Sequence, residues 1–287
     1  MLTATLHRSA TLSSTVVSRQ IALAAIESLY TELMLAPKPG LVSPGDNGSH
    51  RDMTAATLMR SLFSLRHYFR AITIAAYSNA AFVELQRLGI TAEARMTRAT
   101  GGINAHRGAI FNLGLLAAAA AHRLAAGEPL TADGLSATVR DRWRADICAM
   151  RPTKSSHGLL VAARYGTGGA RLEAAQGYPA VFSLALPTLQ TALCAGLGRR
   201  RALVQTLFAL IAHLTDTNLL HRGGAEGLKY AQNAARQFLA ADGTTSPDWE
   251  QRARTVRDAF VARNLSPGGA ADLLAATWFV HKITASR

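Results

Sequence analysis

IALAAIESLYTELMLAPKPG, residues 21–40, decides the reading of the fold. Ile21, Ala25, Leu29 and Leu33 recur four residues apart, and Ile26, Tyr30 and Met34 widen the stripe. Apolar residues at that step share one face of an α-helix, so the stretch predicts a helix with a buried side. Pro37 and Pro39 end it, because proline cannot donate the backbone N–H of a continuing helix. Residues 41–51 then read as a turn-rich loop, and Asp52 as the N-cap of a helix carrying Leu58, Leu62, Leu65 and Phe69 inward.

The helical period continues outward from this segment. It predicts helices over 80–88, 92–98, 109–126, 132–149, 180–195, 202–220, 225–241, 249–263 and 267–283, with Gly or Pro at most joints. No stretch alternates with period two, and the many alanines favour helix and close helix packing. Neither a repeat nor a dividing linker is found, so the expectation is one all-α domain over 20–287. A flexible polar segment at 1–19 is expected before it, since the first 26 residues hold no Asp or Glu and no apolar leader core.

Composition narrows the function classes. The 287 residues are 49% hydrophobic, which fits a sizeable core and excludes a disordered chain. Only Cys148 and Cys194 are present, too few for a disulfide scaffold or an all-cysteine zinc site, and compatible with a reducing, cytoplasmic setting. The formal charge of +13 suits polyanionic partners: nucleic acid, anionic membrane or phosphorylated metabolites. The run Arg199-Arg200-Arg201 reads as a solvated turn. The longest apolar stretch, 108–121, contains Asn112 and falls short of the roughly 18–20 residues of a membrane span.

Four segments gather Gly, Pro, His, Asn and acids at helix ends. In the first, Lys38 could meet a phosphate, while Asp46, His50 and Asp52 could hold a metal or move a proton; an ordinary interhelix loop is the alternative. In the second, Thr100-Gly101-Gly102-Ile103-Asn104-Ala105-His106-Arg107-Gly108, a glycine turn opening a helix would present free N–H groups to an anion. In the third, residues 216–224, a helix is expected to run out at Gly223-Gly224. There Asp216 lies among apolar neighbours and should be paired with a cation or metal, Arg222 being one candidate. In the fourth, Ser266 and Pro267 read as N-cap and N1, with Asp272 placed where a carboxylate needs a partner. No nucleophile elbow, Ser-His-Asp order or CxxC motif is present.

These stretches resemble the triphosphoribosyl-dephospho-CoA synthase family. The likeness rests on Pro-Lys-Pro-Gly-Leu-Val (37–42), Gly-Ser-His-x-Asp-Met (48–53), Ala-Thr-Gly-Gly-Ile-Asn-x-His-Arg-Gly-Ala-Ile-Phe (99–111), Asp-Thr-Asn-x-Leu-His-Arg-Gly-Gly (216–224) and Ser-Pro-Gly-Gly-x-Ala-Asp-Leu-Leu-Ala (266–275). Residues 46–50, Arg107 and residues 224–228 look like the malonate decarboxylase branch more than the citrate lyase one. Ala105 departs from the pattern, where Thr is expected, and the match is looser around Glu173.

The resemblance implies that ATP and 3'-dephospho-CoA give 2'-(5''-triphosphoribosyl)-3'-dephospho-CoA and adenine. A phosphoribosyl-dephospho-CoA transferase acting on an acyl-carrier protein would take the product. It further implies phosphate or substrate contacts at Lys38, Asn104, Arg107, Gly108, Asn218, Arg222, Gly223, Gly224, Ser266 and Gly268. Asp52, Asp216 and Asp46 would hold Mg²⁺ on the triphosphate, His50 or His106 would carry the proton, and Asp272 would stabilise charge or act as base. Nucleic acid and membrane are not expected as partners, and homo-oligomerisation is compatible with the sequence. Two alternatives stand beside this reading. A Mg²⁺-dependent nucleotide N-glycosidase would use water as acceptor. A basic helical nucleic-acid binder would leave the carboxylates unexplained and has only 6% aromatic residues for stacking.

Overall fold

Leu113, Leu116 and the unbroken run Ala117–Ala121 are buried at the middle of helix α4 (Arg107–Ala125), where small side chains let other helices approach closely. The computed structural model describes residues 14–150, 161 and 164–285. Among them are eleven α-helices and no strand. α1 (Ser14–Met34), α2 (Ala55–Tyr77), α3 (Phe82–Ala99), α5 (Ala132–Ala149) and α11 (Gly268–Thr284) all pack against α4. The remaining helices are α6 (Gly169–Ala175), α7 (Leu186–Cys194) preceded by a π-helical turn (Ala180–Ala185), α8 (Gly198–His213), α9 (Thr217–Ala240) and α10 (Trp249–Ala262). α8 packs on α7, α9 and α11, which carries the same core to the second half of the chain. Each fully buried Leu or Phe in it adds roughly 1.5–3 kcal/mol.

The all-α expectation holds, and several boundaries differ for physical reasons. In α1, Ile21, Ala25, Leu29 and Leu33 are buried, whereas Tyr30 and Met34 are 44% and 45% exposed. At about 100° per residue both point to the opposite side from Ile21. Residues 14–19, expected to be flexible, belong to α1, with Val17 and Ser18 buried; residues 1–13 lie outside the described residues. α2 is capped by Thr54, not Asp52: Thr54 and Thr57 form a reciprocal capping box. The helices expected over 80–88 and 92–98 are one continuous α3. α8 stops at His213, earlier than the expected 220, and Asp216 caps the next helix.

Gly223-Gly224 is therefore not a helix stop. It lies within α9, which breaks at Gly224 (φ 62, ψ −163), a backbone angle pair that only glycine adopts without strain. α11 has Pro267 as its N-cap, leaving Ser266 one position outside the helix. The arginine run forms the first turn of α8, where Arg200 pairs with Glu250 and lies over Trp249. Both cysteines are free and exposed. By length and composition α4 could cross a membrane, but 67% of its most apolar window is buried inside the protein.

Candidate active site

The loop after α1, the start of α4, the start of α9 and the start of α11 converge on one cleft of about 1880 Å³. His50, Asp52, Asn104, His106, Arg107, Gly108, Asp216, Asn218, Arg222, Ser266, Gly268 and Asp272 all line it. A single drug-sized ligand fills a pocket of about 300–1,000 Å³, so this one has room for two nucleotides. Lys38, Asp46, Gly223 and Gly224 are not among the lining residues.

Asp272 comes from the second turn of α11 and is half-buried where α11 crosses the N-terminus of α4. Its carboxylate accepts the backbone N–H of Ala109. Gly108 makes the crossing possible, because a Cβ there would lie 2.8 Å from Asp272 Cγ. Burial, reinforced by Glu32 and Asp216 nearby, pushes the Asp272 carboxyl well above the usual range, which favours its protonated form. Its one favourable contact is the helix end, while Glu32 and Asp216 face it as like charges.

His106 is the N-cap of α4 and is buried. Its Nδ1 lies 2.7 Å from Ser61 Oγ on α2, while its Nε2 has no hydrogen-bond partner. Burial and the nearby Lys38 charge lower its pKa to about 4, so the ring is neutral at pH 7. His50 also falls to about 4, through burial and the Arg222 guanidinium. Both of its nitrogens are engaged, Nδ1 with Arg222 at 3.1 Å and Nε2 with Ser266 Oγ at 2.9 Å. Because the guanidinium can only donate, His50 Nδ1 is the acceptor and Nε2–H donates to Ser266. Of the two histidines, His106 alone keeps a free ring nitrogen.

Four expectations are corrected here. Lys38 is buried and does not reach the cleft; Nζ donates to Glu32 Oε1 (2.6 Å) and Glu32 O (2.7 Å), and burial lowers its pKa. Asp46 is held by both arms of Arg257, Nε at 2.7 Å from Oδ2, and accepts Gly48 N–H at 2.9 Å; these outweigh the effect of burial and lower its pKa. Asp216 has backbone partners in place of a cation: Oδ1 accepts Asn218 N–H (2.8 Å) and Oδ2 accepts Ala270 N–H (3.0 Å). Burial still raises its pKa, and Arg222 donates elsewhere, to Ser49 O and Asn264 Oδ1, both at 2.8 Å. The glycine turn is the fourth: Gly101 and Gly102 N–H bond back to Arg98 O and Thr97 O, so they close α3 and are not free for an anion.

Glu32 was not singled out in the sequence, yet it lines the cleft and holds Lys38. The signal existed: eleven residues after Ile21, at about 100° each, Glu32 falls in the middle of the buried arc of α1. Arg51 and Arg171 also line the cleft, joining Arg107 and Arg222 as cations around it, and Arg107 pairs with Glu93 at 2.8 Å. Among the described residues no three His, Cys, Asp or Glu side chains gather as a metal-binding group. Asp52, 66% exposed on the cleft wall, keeps a carboxylate open to a ligand.

The family model for ATP:dephospho-CoA triphosphoribosyl transferase matches residues 18–287. A probable 2-(5''-triphosphoribosyl)-3'-dephosphocoenzyme-A synthase of Acinetobacter calcoaceticus is 40% identical over 262 residues, covering 91% of this chain and 90% of that protein. The synthase of Pectobacterium atrosepticum is 41% identical over 266 residues (88% and 86%), and a probable one of Stutzerimonas stutzeri is 41% identical over 265 (91% and 90%). No solved structure matches the chain. The chain is an enzyme of the transferase class and belongs to the ATP:dephospho-CoA triphosphoribosyl transferase family.

Proposed function

We propose that this protein moves the 5-triphosphoribosyl group of ATP onto the 2'-hydroxyl of 3'-dephospho-CoA and releases adenine. The observation that carries the proposal is the presence, at the N-terminus of α4, of a carboxyl whose surroundings favour its protonated form (Asp272) and of a neutral histidine whose Nε2 has no partner (His106). Glycosyl transfer needs a proton donor for the leaving base and an acceptor for the hydroxyl proton. Its ribosyl centre develops positive charge, which the Asp272 carboxylate stabilises once its proton has gone to the leaving base.

The steps balance. The ribose C1–N9 bond of ATP breaks as Asp272 gives its proton to adenine. The 2'-oxygen of dephospho-CoA bonds to C1 as its proton passes to His106 Nε2, and return of that proton to Asp272 resets the site. For this role His106 Nδ1–H donates to Ser61 Oγ, leaving the lone pair on Nε2. Anionic phosphates entering beside the ring raise its basicity. Arg51, Arg107, Arg171 and Arg222 surround the cleft as phosphate contacts, while Arg222 also orients His50 and, through it, Ser266.

Magnesium is proposed with the triphosphate. The donor set fits an ion held mainly by substrate oxygens and water, with Asp52 as the protein carboxylate, better than an all-protein site. When bound, the ion would neutralise triphosphate charge near Asp52. Asp46 and Asp216 drop out as ligands because their oxygens are already engaged.

Residues 46–50, Arg107 and residues 224–228 support service to malonate decarboxylase over citrate lyase, with the product passed in the cytoplasm to a transferase that loads the acyl-carrier subunit. Deleting the gene should then leave the malonate decarboxylase carrier without its prosthetic group. The reaction itself is tested by incubating the protein with ATP, Mg²⁺ and dephospho-CoA and weighing the products. Adenine and an adduct retaining all three phosphates are expected. Free triphosphoribose would point to the N-glycosidase reading, and ADP or AMP would refute glycosyl transfer.

A further inference from the structure

A cleft that takes two nucleotides needs several arms, and the one running along α4 away from Asp272 has no assigned occupant. Gly108, Asn112 and Leu115 line the cleft at i, i+4 and i+7, so they form one stripe of α4. The Asp272 carboxylate meets that stripe at Gly108. Between Gly108 and Leu115 the helix rises about 10 Å. The walls along it are Ile72 of α2, Phe82 and Leu85 of α3, and Phe111 of α4. Beyond Asp272 the groove is mostly apolar; Gln86 and Tyr68 are its polar lining, and the Tyr68 hydroxyl is spent on Ile110 O.

Midway along it lies Asn112, 3% exposed, whose Oδ1 has no hydrogen-bond partner. An orphan carbonyl in a buried wall costs the free protein roughly 1–3 kcal/mol. Buried polar atoms are nearly always satisfied, so this one asks for a donor that arrives with a ligand.

The geometry points to this groove as the seat of the pantetheine arm of dephospho-CoA, with Asn112 accepting an amide N–H of that arm; the assignment rests on the reaction proposed above. The arm is long, uncharged and built of apolar carbons interrupted by amides, which matches the groove's length, its lining and its single orphan acceptor. A purine is shorter and would leave the Leu115 end unfilled. An anion would find no cation among Ile72, Phe82, Leu85, Phe111 and Leu115. Because an amide carries both a donor and an acceptor, it satisfies Asn112 in either orientation of the side-chain amide.

The test is calorimetric titration of wild type and Asn112→Leu with dephospho-CoA, with ADP, which keeps adenosine and pyrophosphate but lacks the arm, and with ATP. Asn112→Leu should weaken dephospho-CoA about tenfold and leave ADP and ATP within about twofold, the loss expected for one hydrogen bond to a buried acceptor. Its Tm should not fall, since the orphan carbonyl is gone. Asn112→Ala, which also removes the acceptor, is read the same way if the leucine variant does not fold. Equal losses for dephospho-CoA and ADP, a loss confined to ATP, or no loss at all would overturn the assignment. The titration needs no turnover. A wild type that binds dephospho-CoA more tightly than ADP yet releases no adenine would refute the reaction and leave the groove standing. Equal wild-type affinity for the two would refute the groove alone.

Discussion

Lys38 shows how a motif residue can look like a ligand contact and be a strut. It sits in Pro-Lys-Pro-Gly, where a phosphate contact is the natural reading, yet its ammonium is buried against Glu32. Removing one member of a buried ion pair leaves the other uncompensated, so Lys38→Met should cost about 3–5 kcal/mol in denaturant unfolding. A phosphate ligand would instead raise KM with stability intact. Asp272 gives the opposite pattern. Its folded pKa is raised by burial and by Glu32 and Asp216, so its contribution to stability is full below the unfolded value of about 3.9 and is lost as pH rises through the folded pKa. Asp272→Asn should therefore be more stable than wild type at pH 8, converge with it near pH 4, and lose on the order of 10²–10⁴ in kcat. A Tm gap that does not close on acidification would contradict the shift. At this scale the sequence identified Asp272 and His106 as candidates, because each stands where its surroundings need a reason for it. It could not separate Lys38 from Arg222, since burial of a lysine against an acid six residues earlier depends on how the chain turns between them.

Among the elements, Asp216 joins two helices. It caps α9 through Asn218 and reaches the first turn of α11 through Ala270, with Gly269 close enough that a Cβ there would lie 3.0 Å from Oδ2. Asp216→Ala should lower stability by about 2–4 kcal/mol, the loss of two caps, whereas Asp216→Asn, which keeps one acceptor oxygen of the two, should cost about half as much and keep most of the activity. Urea unfolding and steady-state rates on both variants check this; an inactive Asp216→Asn with unchanged stability would restore the metal role. Helix existence was legible from the apolar period except for the seven-residue α6, where no helix was expected. Caps were less so: Thr54, Asp216 and Pro267 took positions read as belonging to Asp52, a helix interior and Ser266. A cap is decided by which side chain the neighbouring element leaves free, and Ser266 is taken by His50.

For the whole molecule, the proposed reaction seats two phosphorylated substrates in one cleft, with their reacting atoms at the N-terminus of α4. The single all-α body and the convergence of Gly-flanked segments were readable because those segments share helix ends and unusual acids. The apolar groove was not, since Asn112, Phe82 and Leu85 look like ordinary helix residues until three helices are placed together. The most direct measurement is a crystal structure of the protein with adenine and the triphosphoribosyl-dephospho-CoA product. The account predicts the new glycosidic carbon in contact with Asp272 and His106, beside Gly108. Product bound elsewhere, with those two side chains remote from the ribose, would contradict it.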